Sequence, residues 1–185
     1  MSKAKQILRP ALSLCIICAV VTLALAVVYY FTADVIEANI ASKSQEGAYS
    51  VMSEAASFDT LDPVGEAQTV YRALDTQGET LGYVFQTAAN GYGGEIIVLT
   101  GIRADGTVSG VGILSDSETP GLGKKVEQDA FREQYQGKAG ILSVAKQNPS
   151  SDQIQAVSGA TVSSKAVTSA VNAAREAFEQ LEEIK

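Results

Sequence analysis

The sequence predicts an α+β fold: a single N-terminal transmembrane helix, then one extracytoplasmic domain whose antiparallel sheet is flanked by helices. Three observations predict it. An uncharged apolar stretch stands near the N-terminus. Four runs rich in Val, Ile, Tyr, Thr and Leu then follow one another with turn dipeptides between them. Helical patterns lie on both sides of those runs.

Residues 11–33 contain no charged side chain, and 11–31 is almost wholly apolar, about 21 residues. As a helix that is roughly 30 Å, the thickness of a bilayer's hydrocarbon core. Lys3, Lys5 and Arg9 precede it, and no acid occurs before Asp34. Of 14 basic and 21 acidic residues, eleven basic and all the acidic ones therefore lie beyond the span, so the head carries +3 and the remainder −10. A basic N-terminal flank predicts a cytoplasmic N-terminus and a domain outside, with Tyr29 and Tyr30 at the far interface. Ala24-Leu25-Ala26 fits a signal-peptidase pattern, but the apolar run continues through Phe31, which favours a retained anchor. Cys15 and Cys18 within the span read as small packing residues.

Residues 34–58 show a helical recurrence of Val35, Ile36, Ile40, Tyr49, Val51 and Met52, a stalk leading to the domain. A break is expected over 59–65, where Asp62-Pro63 falls. The chain thus divides into 1–33 (cytoplasmic N-terminus and anchor), 34–65 (helical stalk and connection) and 66–185 (the functional domain). Strands are expected at 69–75, 80–88, 95–103 and 107–115, separated by Gln77-Gly78, Asn90-Gly91 and Asp105-Gly106. Asp-Gly supplies the positive φ of a hairpin turn, so the four form a meander. A polar loop at 116–125, a short helix at 126–135 ending by Gly137, and short strands at 141–145 and 154–157 follow. The last helix starts near Ser163, with Val167, Ala170, Val171, Ala174, Phe178 and Leu181 on one stripe.

Composition removes several function classes. The chain has no histidine, and from Asp34 onward no cysteine. Thiol and imidazole catalysis and Cys/His metal sites are excluded there, and neither a metal site nor a catalytic residue is predicted. A strongly acidic domain argues against nucleic acid. Any chemistry must come from a cofactor or from carboxylates and hydroxyls.

Two segments have the residue types for that. Ser158-Gly159-Ala160-Thr161-Val162-Ser163-Ser164 places four hydroxyls and two small residues at a helix N-terminus, where free N–H groups and the positive dipole end suit a phosphate. The same residues also suit an ordinary helix start with Ser163 or Ser164 as N-cap. In Glu118-Thr119-Pro120-Gly121-Leu122-Gly123, proline and glycines define a loop shape, and Leu122 stands alone among polar neighbours. A rigid surface turn is the other reading. Gly121-Leu122-Gly123-Lys124-Lys125 is not a phosphate-binding Walker loop, because position 118 is Glu and no Ser or Thr follows the lysine. Ser143-Val144-Ala145-Lys146 lacks the partner motifs of Ser-x-x-Lys enzymes.

With Gly91-Tyr92-Gly93-Gly94-Glu95-Ile96, these two segments stand in the same order as in one family: the chain resembles RnfG, the G-type component of the Rnf ion-translocating electron-transport complex. The resemblance spans nearly the whole chain. It implies an electron-carrier subunit of a ferredoxin:NAD oxidoreductase complex in a bacterial or archaeal cell membrane, alongside other membrane and redox subunits. It also implies an FMN covalently bound by phosphoester to Thr161, attached by a flavin transferase. Ser158, Gly159, Ala160 and Ser164 would shape and bind around that tether, and Glu118, Thr119, Gly121 and Leu122 would line the isoalloxazine. Two positions depart from the family pattern: Gln155 stands where aspartate is usual, and Asp116 and Ser117 where a histidine is frequent. The alternatives are a component like the C-type one of the sodium-translocating NADH:quinone reductase, or a non-redox membrane-anchored assembly or sensing module.

Overall fold

The computed structural model describes residues 3–184, with the side chains of 11–32 and 43–183. The side chains of Lys3, Lys5, Arg9, Val35, Ile36 and Ile40, on which the flank and stalk readings rest, lie outside the described residues. The chain divides into two compact units, Met1–Ala41 and Ser42–Lys185.

In the first unit, helix α1 (Lys3–Val51) contains the stretch Ala11–Thr32, long and apolar enough to cross a membrane. Leu12, Leu14, Ile16, Leu23 and Leu25 are all exposed there. Cys15 and Cys18 are free and exposed on the same stretch. A surface this apolar is stable only against lipid or protein.

The second unit starts within the end of α1. Ala48, Val51 and Met52 are buried against Tyr71, Ala73, Val84 and Leu99. The sheet meets this helix end with glycine: a Cβ on Gly101 or Gly110 would lie 2.8 Å from the Val51 carbonyl oxygen. The Ser109 hydroxyl donates to that oxygen at 2.7 Å, and the Tyr71 hydroxyl to Ser44 Oγ at 3.1 Å. The helix stops at Val51 rather than running to 58. The region read as helix end and break instead yields strand β1 (Ser57–Leu61), paired antiparallel with β2 (Thr69–Leu74). Its residues, Ser-Phe-Asp-Thr-Leu, carry little apolar signal because an edge strand buries little. Asp59 pairs with Arg72 across the ladder at 2.8 Å.

Strands β3 (Thr80–Asn90), β4 (Glu95–Arg103) and β5 (Val108–Ser115) complete a five-stranded antiparallel sheet in the order β1-β2-β3-β4-β5, the meander expected from the turn dipeptides. From Ile96 to Ile102, β4 is buried continuously rather than alternately. Leu99 faces the end of α1, whereas Ile96, Val98 and Ile102 pack beneath α3 (Thr161–Ile184). A strand covered on both faces cannot show a period of two. Along α3, Val167, Ala170, Val171, Ala174 and Phe178 are buried and Leu181 partly so, as the stripe predicts.

The single helix expected at 126–135 is broken into a 3-10 turn (Gly123–Glu127), a one-turn α2 (Asp129–Arg132) and a second 3-10 turn (Glu133–Tyr135). Gln128 is extended (φ −70°, ψ 143°) and interrupts the ladder. Val126, Phe131 and Tyr135 still reach the core. The short strands β6 (Ser143–Ala145) and β7 (Gln153–Gln155) form a parallel pair. Their chain then turns into α3, two residues earlier than expected.

Candidate functional site

Three connections meet at one end of the sheet: the β3–β4 turn, the loop after β5, and the turn into α3. Glu118 ties them together. The residue is 3% exposed. Oε1 accepts the N–H groups of Tyr92 (2.7 Å) and Gly93 (3.2 Å), and Oε2 accepts the Ser163 hydroxyl at 2.9 Å. These contacts require glycine around the carboxylate. A Cβ on Gly91 would lie 2.1 Å from Oε1, one on Gly123 2.2 Å from Oε2, and one on Gly93 2.2 Å from the Ser117 oxygen.

A second layer supports this one. Asp116 Oδ1 accepts the Glu118 N–H at 2.8 Å, while Oδ2 lies 3.4 Å from Lys124 Nζ, which reaches Glu127 Oε1 at 3.1 Å. Burial raises the Asp116 pKa, but hydrogen bonds to Glu127 and to the Glu118 N–H, with the Lys124 charge, bring it below the usual carboxylate range. Glu127 is pushed the other way, by its hydrogen bond to Asp116 and then by burial. The two carboxyls are thus coupled, with Asp116 the more acidic of the pair.

The turn into α3 corrects the capping expectation. The Ser164 N–H bonds the Ala160 oxygen at 2.9 Å, so the helix begins at Thr161 and neither serine is an N-cap. Instead both turn inward. Ser163 holds Glu118, and the fully buried Ser164 hydroxyl accepts the Val157 N–H (3.0 Å) and donates to the Ala160 oxygen (2.9 Å). Gly159 adopts φ +80°, and a Cβ there would come within 2.8 Å of Leu122 Cδ1. The first N–H groups of α3, on Thr161, Val162 and Ser163, meet no acceptor among the described residues, nor does the partly buried Thr161 hydroxyl meet a hydrogen-bond partner.

These elements enclose a cavity of about 410 Å³. Its apolar walls are Tyr92, Leu122 and Val162, which are 76%, 44% and 51% exposed; its polar end is Thr161 and the start of α3. A second cavity of about 480 Å³ lies on the other side of Thr161, with Lys146, Gln147, Gln155 and Ser158 in its wall. Of the residues singled out from sequence, Glu118, Thr119, Leu122, Gly159, Ala160 and Thr161 line the first cavity. Ser158 lines the second, Ser164 lies buried beneath the turn, and Gly121 (φ +76°) shapes the loop from an exposed position outside both linings. Sequence reasoning misses Tyr92, Gly123, Val162 and Ser163 as lining residues. Tyr92 has a readable signal, a lone aromatic within a run of glycines, where no core position is available.

Comparison with known proteins follows the same partition. Residues 91–176 match the model of the FMN-binding domain, and residues 1–49 that of the RnfG N-terminal region. The G-type component of the Na(+)-translocating ferredoxin:NAD(+) oxidoreductase complex of Acetobacterium woodii is 32% identical, covering 96% of this chain and 94% of its own. The corresponding component of the proton-translocating ferredoxin:NAD(+) oxidoreductase complex of Clostridium ljungdahlii is 34% identical, covering 91% and 88%. The crystal structure of NqrC from Shewanella oneidensis superposes with a TM-score of 0.52 at 22% identity, over 72% of this chain and 74% of that one, a likeness of fold.

Proposed function

From the premise that this chain belongs to the RnfG family, the G-type components of ion-translocating oxidoreductase (Rnf) complexes, we propose that it relays electrons within such a membrane complex through an FMN esterified to Thr161. The observation that carries this reading is the Thr161 hydroxyl, unpartnered among the described residues, beside the open N–H groups of α3 and at the edge of an apolar-walled cavity.

The residues present fit the cofactor. A volume of about 410 Å³ falls within the roughly 300–1,000 Å³ typical of cofactor sites. Tyr92, Leu122 and Val162 would flank a flat apolar ring system, and the N–H groups of Thr161, Val162 and Ser163 would hold the phosphate with the help of the helix dipole. Gly159 must lack a side chain for Leu122 to keep its place against the turn. Ser158 and Ala160 shape that turn, and Ser164 fixes it from below. FMN supplies electron exchange one electron at a time; the protein supplies position and field.

The functional division is anchor 1–33, helical connection 34–65 and FMN-binding domain 66–185, although the packed unit begins earlier, at Ser42, because the end of α1 seals one face of the sheet. The head's three basic residues argue for a cytoplasmic N-terminus and a domain outside, where a covalent tether prevents loss of the flavin. Partners are the other subunits of the complex and, during maturation, a flavin transferase. Gln155 replaces the aspartate usual before the tetrad. Its side chain is exposed on the second cavity and its backbone is held by Gln134, so the replacement changes a surface the transferase meets and leaves the turn intact. Kinship over nearly the full length favours the RnfG reading over the quinone-reductase alternative.

The test is absorbance of the native complex in membranes. Adding the electron donor should bleach this protein's flavin band, and adding the acceptor should restore it. A flavin that stays oxidised throughout, or a chain that carries none, would favour the non-redox module.

A further inference from the structure

Glu118 does more than clamp three loops. Two backbone N–H groups, which can only donate, meet Oε1, and the Ser163 hydroxyl meets Oε2, a set of partners suited to an ionised carboxylate. Among the described residues no Lys or Arg pairs with it. The Lys124 ammonium, on the same loop, is bound by Asp116 and Glu127. The first turn of α3 and three neutral donors offset its desolvation but supply no full opposite charge. Such a group sits in the wall of the cavity that Thr161 also borders.

We propose that Glu118 sets the reduction potential of the cofactor in this cavity: its buried, unpaired negative charge makes an electron harder to add and holds the potential low. The inference rests on the reading that FMN occupies the cavity, covalently or otherwise. Glu118 lines the cavity while staying buried, so the field of its charge there is screened less than that of a surface charge. An electron carrier that must hand electrons onward gains driving force from such a charge. Gly91 and Gly123 serve the same end, since a side chain at either would displace the carboxylate from the wall.

Glu118→Gln removes the charge and keeps the shape. The amide oxygen still accepts from Tyr92 and Gly93, and the amide nitrogen donates to Ser163 Oγ. Ser163→Ala keeps the charge and removes one donor that stabilises it. Both variants are made in the full chain, loaded with flavin, and titrated by spectroelectrochemistry beside the wild type. Glu118→Gln should raise the midpoint potential by on the order of tenfold in the reduction equilibrium, about 59 mV for a one-electron step. Ser163→Ala should lower it. A Glu118→Gln potential at or below that of the wild type overturns the proposal. So does an equal rise in both variants, which would mean that loosening the clamp, not the charge, moves the potential. If Glu118→Gln retains no flavin, Ser163→Ala decides alone: a lowered potential supports the proposal, and an unchanged or raised one overturns it. A wild type without flavin would instead defeat the FMN reading itself, a separate outcome.

Discussion

Ser164→Ala tests how the turn presents Thr161. The Ser164 hydroxyl is fully buried and uses both its capacities, accepting from the Val157 N–H and donating to the Ala160 oxygen. The Ala160 oxygen keeps the Ser164 N–H after the substitution, so it is not orphaned. The Val157 N–H loses its acceptor, at a cost of about 1–3 kcal/mol. Alanine recovers about 0.5 kcal/mol through helix propensity. The net loss is therefore roughly 0.5–2.5 kcal/mol, which for a unit spanning residues 42–185 lowers Tm by about 2–9 °C. The functional consequence differs from the loss of the tether. Thr161 is still present, so flavin loading should slow while its final extent stays near complete. Thermal melts of the detergent-solubilised chain and the time course of loading by a flavin transferase measure the two effects. An unchanged Tm with an unchanged loading rate would refute the claim that this hydroxyl fixes the turn.

Three further outcomes follow from the same geometry. Gly91→Ala should destabilise by about 1–3 kcal/mol by overpacking, because its Cβ would meet Glu118 Oε1 and Ile96 Cδ1 at 2.1 and 2.8 Å; denaturant unfolding checks it. Tyr92→Ala should leave stability within about 0.5 kcal/mol, since the side chain is 76% exposed, yet lower the anisotropy of the bound flavin's fluorescence as the ring loses a wall. Glu127 has its pKa raised by hydrogen bonding to Asp116, so its contribution to folding is complete below the ordinary carboxylate pKa and is lost as pH rises through the raised value. Asp116, shifted down, loses its contribution only as pH falls through its lowered value. Glu127→Gln, which keeps a donor at every pH, should flatten the decline in Tm between the carboxylate range and neutrality.

What is legible in the sequence is what is local. Gln77-Gly78 and Asp105-Gly106 mark their turns because the positive φ of each glycine (83° and 81°) depends on the residue itself, and the stripe on α3 repeats within one helix. Strand β1 is hidden because its partner, not its own residues, makes it a strand. The serines after Thr161 look like caps because hydroxyls before a helix usually are. Only the distant Glu118 and Val157 show where they turn. Thr161, Leu122 and Glu118 are identifiable as a set only through the order of three motifs. The hydrogen bonds that join them, from Tyr92 and Ser163 to one carboxylate, connect residues 26 and 45 positions apart. Tyr92 stands out in the sequence as a lone aromatic among glycines, but its place in the cavity wall depends on the distant Glu118, which holds its N–H.

The most direct test of the central claim is flavin fluorescence on a denaturing gel, with the chain co-produced with a flavin transferase and Thr161→Ala run beside the wild type. A fluorescent wild-type band and a dark variant are the predicted result, since only covalently held flavin survives denaturation and Thr161 is its proposed attachment. Equal fluorescence in both lanes would place the tether elsewhere, and darkness in both would contradict covalent attachment altogether.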